Sequence, residues 1–174
     1  MLSRRTLVSS IPGIAAAGLL AACTKTTGNG VTTITLNVNA MNSWGQAIVN
    51  GAELVGGLPG IVGTPAGLAV MALAPVISAD MAAFVGATGG SMTFTFDTTS
   101  PATVVTSIAN DAQKLLAAVV AAIPQVPANI AASANEYLAA IKTIVSTIQA
   151  AIAVTAGAAP SDMSVAKAMA VLSK

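Results

Sequence analysis

Hydrophobic and polar residues alternate in two short stretches of this chain and recur at three-and-four spacing in several longer ones. Residues 31–38 place Ile34, Leu36 and Val38 on one side and Thr33, Thr35 and Asn37 on the other. Residues 91–97 repeat the pattern, with Met92, Phe94 and Phe96 opposed to Thr93 and Thr95. A period of two built from β-branched and aromatic side chains predicts half-buried strands. Two such strands can pair if helices cover their apolar face, because an isolated two-stranded sheet is marginal in water. The alternative is an open edge that accepts a strand from a partner.

The remaining pattern is helical. Asn42 or Ser43 is placed to cap a helix reaching Val55, with Trp44, Ile48 and Val55 near one face. Gly56-Gly57 and Pro59-Gly60 stop it. Thr64-Pro65 opens the next, a capping hydroxyl followed by proline at the first helical position. That helix runs to Val85 with a bend at Pro75, where a backbone donor is missing. After Ser100-Pro101, apolar residues recur at Val104/Val105, Ile108, Leu115/Leu116, Val119 and Ile123. Beyond Pro124-Gln125-Val126-Pro127 the spacing continues through Ile130, Tyr137/Leu138, Ile141, Ile144/Val145, Ile148 and Ile152. Two amphipathic helices joined by a short turn make an antiparallel hairpin. Pro160-Ser161-Asp162 starts a last short helix with Val165, Met169 and Leu172 inward. The expected fold is mainly α: a helical bundle with a C-terminal antiparallel helical hairpin and a small two-stranded β element.

Composition sharpens this picture. Only 7% of residues are charged, against about 25% in ordinary soluble domains. Aromatics are 3%, so alanine, valine, threonine and glycine must build a core of closely approaching small side chains. A mean hydropathy of +0.81 raises a membrane alternative. Residues 54–79 carry no charge and are long enough to cross a bilayer. Pro59, Gly60 and Gly63 break that window, however, and Asp80 follows it, a carboxylate that lipid tolerates only when paired. Thr, Asn, Gln and Ser also line the C-terminal helices, so an aqueous bundle is the favoured reading.

Charge and residue types exclude several functions. Beyond residue 23 the cations Lys25, Lys114, Lys142, Lys167 and Lys174 nearly balance Glu53, Asp80, Asp97, Asp111, Glu136 and Asp162. No basic patch is available to neutralise phosphates, which argues against nucleic-acid binding. The chain has no histidine, which removes the usual general base and the commonest metal ligand. Gly86-Ala87-Thr88-Gly89-Gly90 lacks the Gly-Lys-Ser/Thr ending of a phosphate loop and reads as a turn. Catalysis would need two of the acids to converge in a cleft, and most of them read as solvated surface charges. Asp80, in its apolar setting, is the exception, and Asp111 with Lys114 forms an i,i+3 helix pair. No catalytic, cofactor or metal residues are expected. Trp44 and Tyr137 read as core or interface residues, and the methionines as gap fillers.

The N-terminus carries the most specific signal. Arg4 and Arg5 precede an apolar run over residues 7–20 that ends in Leu20-Ala21-Ala22-Cys23. A basic start, a short apolar run and small residues before a cleavage point describe a secretory signal. Ser3, Arg4, Arg5, Leu7 and Val8 resemble a twin-arginine signal; its frequent Phe and Lys are absent, so general secretion stays open. Leu20-Ala21-Ala22-Cys23 resembles a bacterial lipobox. The resemblance implies cleavage behind Ala22, a diacylglyceryl thioether on Cys23, and membrane attachment through that lipid. Thr24, in place of the Asp that favours inner-membrane retention, points to the outer membrane, facing the periplasm. The expected organisation is a signal peptide over 1–22, a lipidated cysteine with a flexible tether over 23–30, and one mainly helical domain over 31–174. The expected role is that of a structural or interaction module, as a homo-oligomer or with an envelope protein. The alternatives are a membrane-inserting protein, or a module binding an apolar ligand in a cavity between the Pro65–Val85 helix and the C-terminal hairpin.

Overall fold

A computed structural model describes residues 23–28, 31–97, 103–152 and 164–173. Arg4, Arg5, Leu20, Ala21 and Ala22 of the export signal lie outside the described residues, as does Asp162.

The sheet has three antiparallel strands in the order β1-β2-β3: Cys23–Gly28, Val31–Asn37 and Thr93–Asp97. β2 and β3 are the two strands that alternation predicts, paired through Ile34 with Phe96 and Leu36 with Phe94. Ile34 and Leu36 are fully buried and Phe96 nearly so, while Met92 precedes β3 and is 69% exposed. The outer face is threonine: Thr24, Thr35 and Thr95 are in register, and Thr35 and Thr95 share a 2.9 Å hydroxyl hydrogen bond. β1 corrects the expected flexible tether. Its backbone pairs with β2 from Cys23 opposite Leu36 to Gly28 opposite Val31, and a two-residue Asn-Gly connection suits such a hairpin.

β2 runs directly into α1 (Val38–Gly56). The helix begins before Asn42 and Ser43 because the Asn37 side chain accepts from the Ala40 N–H at 3.0 Å, capping one of the unsatisfied donors of the first turn. Val38 N–H also donates to the Met92 carbonyl, tying the junction to the strand that follows α2. Trp44, Ile48 and Val55 are buried. In the connecting turn Gly60 has φ 84°, and a Cβ there would lie 2.5 Å from the Gln125 carbonyl oxygen. Thr64 caps α2 (Pro65–Ala87) by accepting from the Gly67 N–H, with Pro65 at the first turn as expected. The charge-free window 54–79 is therefore not one helix but the end of α1, a turn and the start of α2.

α3 (Thr103–Ala122) leads through a 3₁₀ turn, Ile123–Gln125, to α4 (Ala131–Ile152), giving the expected hairpin. α5 (Val165–Leu172) is capped by Ser164 and packs on α4 and α1. The first four helices form a ring in which α1 packs on α2, α2 on α3, α3 on α4, and α4 back on α1. The α1–α2 and α3–α4 turns meet at one end, and the sheet covers the other, where Phe94 meets Phe84 of α2 edge to face at 5.4 Å. One continuous core runs through the ring, with Ile48, Ile77, Ile108, Leu115, Ile141, Ile144 and Ile148 fully buried. Each such side chain stabilises the fold by about 1.5–3 kcal/mol.

Candidate functional site

Three features stand apart from this core, and all involve α2. Every residue of α2 except Ser78 and Asp80 is apolar, yet only 28% of its most apolar stretch is buried. Gly67, Val70, Ala74, Ile77, Met81 and Phe84 face the ring. The opposite arc carries Leu68, Ala72, Val76, Ala79 and Ala83, with Leu68 61% and Val76 41% exposed. Val62 and Met92, just beyond the two ends of the helix, are exposed as well. Surface helices normally carry a polar outer face; α2 has none. By length and composition both α2 and the stretch Thr103–Gln125 are long and apolar enough to cross a membrane.

On its α1 side, α2 borders a groove of about 550 Å³. Asn42, Gln46 and Asn50, one turn apart on α1, and Ser78 on α2 supply its polar groups; Gly45, Val49, Met81, Ala82 and Val85 supply the apolar surface. Within it, Gly45 lets the Met81 side chain lie close to the α1 backbone. It lies between α1 and α2, not between α2 and the C-terminal hairpin where the sequence suggested a cavity.

On its α3 side, α2 brings two carboxylates together. Asp80 accepts from the Ser107 hydroxyl at 3.0 Å and lies beside Asp111, whose Oδ1 accepts from Lys114 Nζ at 2.6 Å. Asp111 is only 8% exposed, and its expected i,i+3 pair with Lys114 is present. Burial pushes the Asp80 carboxyl above its ordinary 3.8, the Ser107 hydrogen bond opposes this, and neighbouring Asp111 adds to it. Asp111 moves the other way, held down first by the Lys114 hydrogen bond against the cost of burial, with a further contribution from Asp80. Two carboxyls with pKa values driven apart are the arrangement that acid–base sites use. Here Asp80 is engaged by Ser107 across the helix seam and Asp111 by Lys114 on its own helix, and neither lines the α1–α2 groove. Among the described residues, no three Asp, Glu, Cys or His side chains gather where a metal ion could sit.

Cys23, the residue that the N-terminal pattern singles out, begins β1. Glu53 and Glu136 are exposed on α1 and α4. Spacing alone could have placed Asp111 inward, since it follows Ile108 by three and precedes Leu115 by four on the apolar stripe. Its approach to Asp80 depends on the pairing of α2 with α3 and had no local signal. No protein-family model matches the chain, and no curated protein or solved structure matches it.

Proposed function

We propose that this chain is a lipid-anchored protein of the bacterial cell envelope, attached through Cys23 to the outer membrane and facing the periplasm. It works as a structural or interaction module, not by catalysis. The lipobox resemblance of Leu20-Ala21-Ala22-Cys23 supports the anchor, and the export signal with Arg4 and Arg5 supports the compartment. The observation that carries the interaction role is the exposed apolar arc of α2, since a contiguous apolar surface on a folded domain marks a site of protein or membrane contact. Mass spectrometry of the N-terminal peptide from the membrane fraction tests the anchor. A peptide beginning at acylated Cys23 is expected, and a chain that still begins at Met1 would overturn it. Cys23→Ser should also move the protein out of the membrane pellet.

The α1–α2 groove favours a second reading, a binding module for a small, largely apolar ligand. Its size falls within the roughly 300–1,000 Å³ typical of ligand pockets, and the amides of Asn42, Gln46 and Asn50 would orient polar atoms of the guest. Titration with an apolar fluorescent probe should show saturable binding that Ala82→Phe abolishes. Unchanged binding in that variant would eliminate the groove as the site.

A further inference from the structure

We infer that the outer arc of α2 lies flat on the lipid surface to which Cys23 is anchored, so that the bundle is held in one orientation on the membrane. This rests on the lipid-anchor reading and specifies how the anchored domain sits. Charge distribution identifies the occupant. α1, α3, α4 and α5 each carry a solvent-exposed charge: Glu53, Lys114, Glu136 with Lys142, and Lys167. The single charge of α2, Asp80, is turned into the seam with Ser107. Leu68, Ala72, Val76, Ala79 and Ala83 carry no side-chain hydrogen-bonding group. α2 is about 34 Å long at 1.5 Å per residue, and such a uniform strip matches the acyl boundary of a bilayer. α4, which bears Glu136 and Lys142, lies across the ring and faces water.

The sheet supplies continuity between anchor and strip. Cys23 is in register with Leu36, and Leu36 with Phe94, whose ring packs on Phe84 near the end of α2. Adjacent strands are about 4.8 Å apart, so the backbone of Cys23 is about 10 Å from that of Phe94. A lipid on Cys23 therefore holds the sheet end of the bundle, where α2 finishes, close to the membrane. α2 does not cross: it packs along both α1 and α3, and Asp80 is bonded on its inner flank.

The test is nitroxide accessibility in the full-length processed protein, reconstituted in phosphatidylethanolamine–phosphatidylglycerol vesicles. Cys23 is the only cysteine, so acylation leaves no competing thiol for labels at Leu68→Cys, Val76→Cys and, as the water-facing control, Lys142→Cys. Intact mass first establishes whether Cys23 is acylated. With the anchor in place, labels at 68 and 76 should collide several-fold more with oxygen than with a water-soluble nickel chelate, and the label at 142 the reverse. Nickel accessibility at 68 and 76 on an acylated protein would overturn the orientation while sparing the anchor. Spin–spin broadening at 76 would assign the strip to a second copy and equally overturn it. An unacylated Cys23 removes the anchor and the orientation together.

Discussion

Adding one methyl group at two glycines of α2 should have opposite effects, and the sign follows from the surroundings. At Gly67 a Cβ would run into the Ile61 carbonyl oxygen and side chain. That carbonyl cannot retreat freely, because it accepts from both the Thr64 N–H at 3.0 Å and the Thr64 hydroxyl at 2.7 Å. Thr64 in turn caps α2 by accepting from the Gly67 N–H. Ile61 is itself fully buried, so the clash spreads into the core. Overpacking costs about 1–3 kcal/mol and a lost cap about 1 kcal/mol. Replacing glycine in a helix returns up to about 1 kcal/mol. Gly67→Ala should therefore lose about 2 kcal/mol, or about 6 °C in Tm for a domain of this size. At Gly86 nothing lies within 4 Å of the added Cβ, and Gly86→Ala should gain about 0.5–1 kcal/mol by restricting the unfolded chain. Urea melts followed by circular dichroism measure both. Equal shifts of the same sign would refute the packing of the α1–α2 turn against the helix start.

Asp80→Asn should stabilise the protein at neutral pH and flatten its pH profile. A carboxyl whose folded pKa is raised contributes stability below its ordinary value and loses it as pH rises through the raised value, and amide replacement removes that loss. Melts taken between pH 3 and 8 check this, and a profile identical to wild type would refute it. Asp111 behaves in the opposite sense: its contribution is present above pH 3.8 and is lost on acidification. Asp111→Ala should cost about 0.5–1 kcal/mol through the lost pair with Lys114, whose side chain is 67% exposed, and unchanged stability in a urea melt would contradict that pair. Asn37→Ala should cost about 1 kcal/mol through the lost cap, with faster amide exchange at Ala40 as its local signature.

Much of this fold was written in local patterns. The alternation in β2 and β3, the Thr64-Pro65 start and the stripes of α3 and α4 each depend on residues a few positions apart, and each appears where expected. β1 escaped because it is an edge strand: Thr24, Thr26 and Thr27 are exposed, so no apolar alternation marks it. Its one cue is the Asn29-Gly30 dipeptide between two β-prone runs. α1 begins early because Asn37, the last strand residue, uses its side chain to cap the helix that follows. Thr143 and Thr147, polar by type, are buried in α4 and donate to the Ala139 and Thr143 carbonyls one turn back. The apolar character of α2 was plain from composition. That most of it is left uncovered was not, since exposure is decided by how the ring of helices closes.

The pairing of β1 with β2 also sets the mechanical slack of the protein. A free six-residue leash spans up to about 20 Å, which would let a tethered domain tumble and sweep a volume above its attachment point. Zipped into the sheet, the same residues would give almost no reach to a domain anchored at Cys23 as proposed. β1 is bonded along one side only, so peeling it away would return those 20 Å without disturbing the four-helix ring. The hairpin thus acts as a reel, and pulling force applied at Cys23 would find it before any helix.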